Sequence, residues 1–405
     1  MERADYIKNT YGVTLNWIQA PSGILSLLNV DATTPGSDYH IAMPRMYEAQ
    51  TLVMNGVVLD MGQSQYIDFS QSYFNQMAYE SYTISEHTFF AAGDFSFIDE
   101  QTSFIIFFNK TLASQYPAFP LDDIYDMVRE GEWTVDIMYG LAATVSENLD
   151  GKAEWTDLDK YGFGTTTLQM FFQYFGIQQV SVDPDTQQYY ISLNDDRVGT
   201  AIDKIIQCMN AEWSRYNWNG GQETGGSSAA FVQNRLLFLN QALQTIDHFR
   251  GSVSEDFQFG LLPFPKLDAA SEYHTPSSYQ AVVMCIPKSA YWADGGKAMA
   301  EYFIDVLSWT GQEYMMEAFL STITMSLTDD ESIEMLEDYI FPNMMYDQGY
   351  MYGWNGLLTD NVQIESYKSG TNKFAENFAR ESIMAQSTIN EWNNAWAGYD
   401  EDDYR

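Results

Sequence analysis

Basic residues are scarce in this chain. Its 405 residues include 19 Lys and Arg against 56 Asp and Glu, a formal net charge of −37. Nucleic acid and anionic membrane both need a basic face, so this balance argues against either partner, and against a strongly anionic ligand. Cysteine is scarcer still, with Cys208 in "TAIDKIIQCMN" and Cys285 in "AVVMCIP". Apolar neighbours on both sides mark buried thiols rather than a disulfide framework, and so leave the compartment open. No stretch approaches the ~20 apolar residues of a helical bilayer crossing.

Chemistry is thin as well. The four histidines, His40, His87, His248 and His274, show no spacing with Cys or carboxylates that would hold a metal. There is no G-x-S-x-G elbow and no Walker loop. "GFGTTT" (162–167) starts like a dinucleotide fingerprint and lacks its third glycine. "ENLDGKAEWTDLD" (147–159) is acidic but misses the register of an EF-hand loop, so a surface turn around Asp150-Gly151 is expected. No metal, cofactor or catalytic residue is expected. Paired carboxylates could serve a sugar hydrolase or lyase, but among 56 acidic residues pairs arise by chance.

What the chain does have is bulk and aromatic surface. The length points to two domains, and 45% hydrophobic residues suffice for sizeable cores. The 10 Trp, 28 Tyr and 25 Phe come with many Asn and Gln. Several aromatics, among them Trp213, Tyr216, Trp218, Tyr279, Tyr350, Tyr352 and Trp354, fall outside helical stripes. Flat rings with amide escorts suit a sugar, and the same residues also build ordinary cores.

Along the chain, strand and helix patterns alternate, which predicts α/β architecture. The opening "MERADYIKNTYG" puts Ala4, Tyr6, Ile7 and Tyr11 on one helix face, ended by Gly12. Strands are expected at 13–18, 39–43, 57–61, 88–93 and 103–109, with a helix from Pro44 to Gly56. Beyond Asn109 helices dominate. One begins at Thr134, with Ile137, Leu141 and Val145 on one face, and another at Asp294 with Met299, Phe303, Val306 and Leu307. The stripe Phe374, Phe378, Ala385, Ile389, Trp392, Trp396 predicts a long helix near the end. The Gly-rich run 217–230 reads as a long loop. "DFQFGLLPFPKL" (256–267) is strand-like until Pro263 and Pro265, which cannot donate to a ladder.

The co-linear order of "SDYHIAMPRMYEAQTLVMNGVVLDM" (37–61), "FFNKTLASQY" (107–116), "VREGEWTVDIM" (128–138), "DLDKYGFG" (157–164), "FVQNRLLFLNQAL" (231–243), "DFQFGLLPFPKLD", "CIPKSA" (285–290) and "DDESIEMLEDYIFPNMMYDQGYMYGW" (329–354) resembles the extracellular solute-binding proteins of bacterial ABC importers, a family with many sugar binders. The resemblance implies a two-lobed periplasmic-binding-protein-like fold of type II, with a central cleft and hinge crossings. It implies an N-terminal lobe of 1–109 and 268–309 and a C-terminal lobe of 110–257 and 310–405. Hinge segments are expected near 107–111, 258–267 and 308–311, where the prolines would limit the paths of the chain. It implies capture of a small-molecule solute, a mono- or oligosaccharide, for ABC transporter permease subunits, by a monomer without turnover. The family carries an export signal, a lipoprotein cysteine and a first central strand. None is visible ahead of the helix that opens this sequence, so these are expected upstream of Met1, with a cell-surface location. The rival expectation is a carbohydrate-active enzyme, which an acid pair facing across one cleft would favour. A third is a non-transport relative acting as a sensor module.

In open α/β sheets ligands sit beyond the carboxyl ends of strands, near helix starts. That rule points to Arg45, to Asp94 and Phe95, and to Asn240 and Gln241. The family likeness adds Thr166 and Gln169 beside "YGFG", Ser278 and Tyr279 after the expected hinge, and Trp354 as a stacking ring. Arg45 could equally be half of a surface pair.

Overall fold

The structure, a computed structural model, describes residues 2–400 except 21–22, 35–38, 167, 169, 194–196, 217–225, 250–255, 328 and 352–364. The first lobe starts with helix α1 (Glu2–Tyr11), which buries Ile7 and ends at Gly12 with φ 70°. Residues 13–18, expected as a strand, form no ladder among the described residues, and Trp17 and Ile18 stay exposed. The run 39–43 contributes a single antiparallel bridge, Ala42 to Cys285. Helix α2 (Ala49–Met54) follows a one-turn 3-10 segment and stops before Gly56, whose φ of 61° needs glycine. The β-structure here is fragmentary: two pairs of two residues, Val58–Leu59 with Ile286–Pro287 and Thr83–Ile84 with His87–Thr88, and bridges from Ala91 to Met284, from Arg45 to Val282 and from Phe74 to Gly93.

The second lobe holds a continuous sheet. Its strands are β1 (Phe104–Asn109), β2 (Tyr161–Thr165), β3 (Ser214–Tyr216), β4 (Leu236–Ala242) and β5 (Phe259–Leu262), in the order β5-β1-β4-β2-β3. The β5–β1 and β1–β4 pairs are antiparallel, and the β4–β2 and β2–β3 pairs parallel. Strand β5 lies at the sheet edge and its last residue is Leu262, so the prolines begin where pairing ends. The Pro263 carbonyl accepts the Trp133 indole N–H at 3.0 Å, and Lys266 exchanges backbone bonds with Trp133 and Val135 at 3.1 and 2.9 Å. The Phe264 ring stacks on Tyr174 at 3.8 Å. The proline run is therefore stitched to the start of helix α3 (Val135–Val145). Thr134 occupies the position before α3, and its side chain makes no capping bond. Of the run 217–230, residues 217–225 lie outside the described residues, and the rest opens a helix, Gly226–Val232, instead of continuing a loop.

Two long helices follow. Helix α4 (Gly296–Thr324) begins after Gly295, with φ 79°, rather than at Asp294, and runs unbroken through Gly311. A Cβ on Gly311 would lie 1.8 Å from the Asp94 carbonyl oxygen, so glycine lets α4 lie directly on that turn. Arg3 of α1 reaches α4 at Thr310 and the Phe95 carbonyl. Helix α5 (Phe374–Ala397) buries the predicted Ala385, Ile389, Trp392 and Trp396, while Phe374 and Phe378 stack on each other half-buried. Cys208 and Cys285 are both free and buried, and burial pushes the Cys208 thiol up to about 12.

Candidate functional site

Three groups of the expected residues can be followed. The first is a rim on the first lobe. The bridge from Arg45 to Val282 brings "PRMY" beside "SYQA", with the Met46 and Tyr47 N–H groups donating to Ala281 and Tyr279 carbonyls at 2.8 and 3.3 Å. Glu48, three residues after Arg45, accepts the Arg45 backbone N–H at 3.1 Å and the Leu25 N–H at 3.3 Å, which fixes the turn. The Arg45 guanidinium is exposed and donates to the Gln280 side-chain oxygen. Tyr47 and Tyr279 meet edge to face, with centroids 6.1 Å apart. Ser278 is buried, and its hydroxyl accepts the Gln280 N–H at 3.1 Å, so it shapes the turn.

The second group lies at the ends of β2 and β4. Alternation along β4 sends Asn240 inward and Gln241 outward. Asn240 is fully buried and saturated: its amide donates to the Ile105 carbonyl at 3.2 Å and to the Tyr174 hydroxyl at 2.8 Å, and its oxygen accepts the Thr165 hydroxyl at 3.0 Å. Such a residue positions the strand ends rather than facing solvent. Gln241 is half-buried, and its amide N–H donates to the Thr166 hydroxyl at 3.2 Å, giving a paired polar edge.

The third group is apart from these. Phe95 is buried in the first-lobe core with Phe74, Ile304 and Leu307. Asp94 accepts the Gln312 amide at 2.7 Å, its backbone lies on Gly311, and burial pushes its carboxyl up to about 6. Both are occupied in holding α4. Gln169 and Trp354 lie outside the described residues.

Tyr47 and Gln280 went unnoticed in the sequence: Gln280 follows Tyr279 directly, and Tyr47 lies two residues past Arg45 in the 3-10 turn Met46–Glu48.

Two carboxylates buried side by side are Asp99 and Glu100. They are consecutive residues on one buried turn, with the Tyr346 hydroxyl donating to Asp99 at 2.9 Å. Burial pushes both up, Glu100 well above the usual range. Side chains on one turn cannot flank a scissile bond from opposite faces. In the acidic stretch 147–159, Asp159 accepts backbone N–H groups of Leu149, Asp150 and Thr156, and Asp150 pairs with Lys152. Among the described residues, no group of three or more His, Cys, Asp or Glu side chains could hold a metal, and no helix is long and apolar enough to cross a membrane.

Solved structures with the same two-lobed arrangement include a cyclo/maltodextrin-binding protein complexed with maltotetraose, at TM-score 0.62 and 12% identity, covering 95% of this chain and 92% of that one. The chain has the fold of the ABC-importer solute-binding proteins. UgpB of Mycobacterium tuberculosis, in complex with glycerophosphocholine, matches at TM-score 0.60 and 12% identity over 96% and 95% of the two chains. An ABC substrate-binding protein of Listeria monocytogenes, in complex with cycloalternan, matches at TM-score 0.55 and 13% identity over 96% and 95%. No protein-family model matches the sequence, and no curated protein is similar to it. At such identities the likeness speaks for the fold, which agrees with the α/β two-lobed expectation.

Proposed function

We propose that this protein captures a small polar solute, a carbohydrate, between its lobes and delivers it to the permease subunits of an ABC importer. The observation that carries the reading is the match over nearly the whole of both chains to binding proteins solved with maltotetraose, cycloalternan and glycerophosphocholine. The rim supports it. Tyr47 and Tyr279 offer ring faces and edges, Arg45 and Gln280 offer donors and acceptors for hydroxyls, and Thr166 with Gln241 forms a second polar edge. We assign solute contact to these six residues and a supporting role to Asn240, Ser278, Asp94 and Phe95. The lobes would flex within α4 near 308–311 as expected, and ahead of Phe104 and after Leu267 in place of the expected 107–111 and 258–267, because β1 and β5 pair within one sheet. The protein would work as a monomer at the cell surface, held there as a lipoprotein, and without turnover.

A thermal-shift screen against maltodextrins, simple sugars and glycerophosphodiesters tests this. A solute that binds only the native state at a hundredfold excess over its Kd adds about 2.7 kcal/mol of stability. Mass spectrometry of the recovered solute should show it unchanged. Steady product formation, abolished by one Asp or Glu substitution, would move the protein to the enzymes.

A further inference from the structure

Helix α5 joins the two lobes. The segment leading into it is tied to the second lobe: the Asn372 amide donates to the Gly199 carbonyl and Asp203, and Tyr367 meets Tyr216 edge to face. A 24-residue helix then spans about 36 Å, and its far end is buried in the first lobe. The Trp396 indole donates to the Gln50 oxygen of α2 at 2.9 Å, and its ring meets Phe89 at 4.9 Å. Beyond it, the Tyr399 hydroxyl accepts the Asp60 N–H at 3.0 Å.

The second lobe adds to the same seam through the hairpin Val180–Val182 with Tyr189–Ile191. The Tyr189 hydroxyl donates to the Ser81 carbonyl at 3.0 Å and accepts the Gln50 amide at 3.2 Å, and its ring packs against both Trp392 and Trp396. Gln348 joins in, accepting from Gln50 at 3.0 Å and donating to the Ser81 hydroxyl at 2.9 Å. One group works against this seam. The Tyr82 hydroxyl is buried beside the Gln348 amide without an aligned hydrogen bond, and among the described residues it has no partner. Such an orphan is hydrated for free when the lobes part and unpaired when they meet.

We propose that the C-terminal half of α5 is an interlobe latch, with Trp396, Gln50 and Tyr189 holding the lobes together and Tyr82 opposing them, so that these residues set solute affinity without touching solute. The affinity clause rests on the proposed solute-binding function. The latch itself does not, because it acts in the unliganded protein. A ligand that binds only the joined form gains affinity in proportion to the population of that form. Removing the Tyr82 hydroxyl should therefore tighten binding about fivefold where the joined form is the minor one.

The test needs no solute. Spin labels at Asn9→Cys and Glu154→Cys, both exposed positions on different lobes, report the interlobe distance by pulsed electron resonance. The native thiols are buried and stay unlabelled. In the unliganded protein, Trp396→Ala and Tyr189→Phe should shift the distribution to longer distances, and Tyr82→Phe should shift it shorter. Should Trp396→Ala fail to fold, Tyr399→Phe and Gln50→Leu loosen the same contacts more gently and should also lengthen it. An unchanged distribution in these variants, alongside a lowered melting temperature, would make α5 part of one rigid core and overturn the latch. A longer distance in Tyr82→Phe would overturn the opposing role of its hydroxyl. Because none of these outcomes depends on a ligand, a failed solute screen would count against the proposed function and not against the latch.

Discussion

The two lobes reach stability by different routes. The second lobe has a five-stranded ladder and a phenylalanine core, in which Phe107, Phe231, Phe249 and Phe259 meet ring to ring. The first has two strand pairs of two residues each, a few isolated bridges, and helices α1 and α4 laid over apolar side chains. A ladder shares its loss over many hydrogen bonds, while a packed lobe depends on a few close approaches. Both lobes have such approaches made possible by glycine, and the two that set a helix against backbone show the pattern. A Cβ on Gly162 would lie 2.0 Å from the Ala142 carbonyl, and one on Gly311 would lie 1.8 Å from that of Asp94.

The largest effect expected on this contrast is Trp133→Ala. The ring is fully buried against Phe238 and its N–H holds the proline run. A loss of about 3–5 kcal/mol is expected, with hydrogen exchange rising throughout the second lobe. Protection lost equally in both lobes would show that they unfold as one unit.

Gly311→Ala comes next. It forces α4 off the Asp94 turn, costs about 1–3 kcal/mol or more, and should lower a first-lobe transition in calorimetry while sparing the sheet. Asn240→Ala should cost about 1–3 kcal/mol, because it strands the Thr165 and Tyr174 hydroxyls and the Ile105 carbonyl.

Acidity separates the lobes more finely. Asp94 in the first and Asp347 in the second both have carboxyls pushed up to about 6 by burial, Asp347 despite accepting the Gln179, Val180 and Gly349 N–H groups. Each group prefers its proton when folded. The stability they contribute is therefore full below the unfolded pKa near 4 and falls as pH rises through about 6. Denaturant melts between pH 4 and 7 should show a decline on the order of 2 kcal/mol for each of the two carboxyls, so Asp94→Asn should remove roughly half of the total. A flat profile would place both carboxyls in contact with water. The smallest effect belongs to Gln241→Ala, within about 0.5 kcal/mol of stability, while solute affinity falls. The reverse pattern would remove Gln241 from the solute edge.

The same contrast explains what could be read in the residues. Helix α5 was legible because burial on a face imposes its period on the sequence, and strand β1 because it is a short apolar run buried on both faces. Helix α3 was placed correctly, but its buried face is Val135, Met138, Tyr139, Ala142 and Val145, and of the expected stripe Ile137 and Leu141 are only half-buried. The runs 13–18 and 39–43 carry the same apolar signal, yet one makes no ladder among the described residues and the other a single bridge, since a strand exists only by its partners. Helix α4 extends past Gly311, a residue that reads as a stop and serves as a close contact. At the candidate site, the strand-end rule pointed to Arg45 and Gln241 and the family likeness to Thr166, and all three carry polar groups at a lobe edge, Arg45 bonded to Gln280 and Gln241 to Thr166. Neither could tell that Asn240 faces inward, or that Asp94 serves α4. Those facts depend on residues more than 60 positions away.

Helix α5 follows every described strand in the chain. The surfaces that receive Trp392 and Trp396, at Gln50, Phe89 and Tyr189, therefore come from segments about 200 to 350 residues earlier in the chain, so the contact closes one of the longest loops in the molecule. Closing a loop of that length costs chain entropy that a local contact does not, and so the burial of these two indoles depends on both lobes having their own cores.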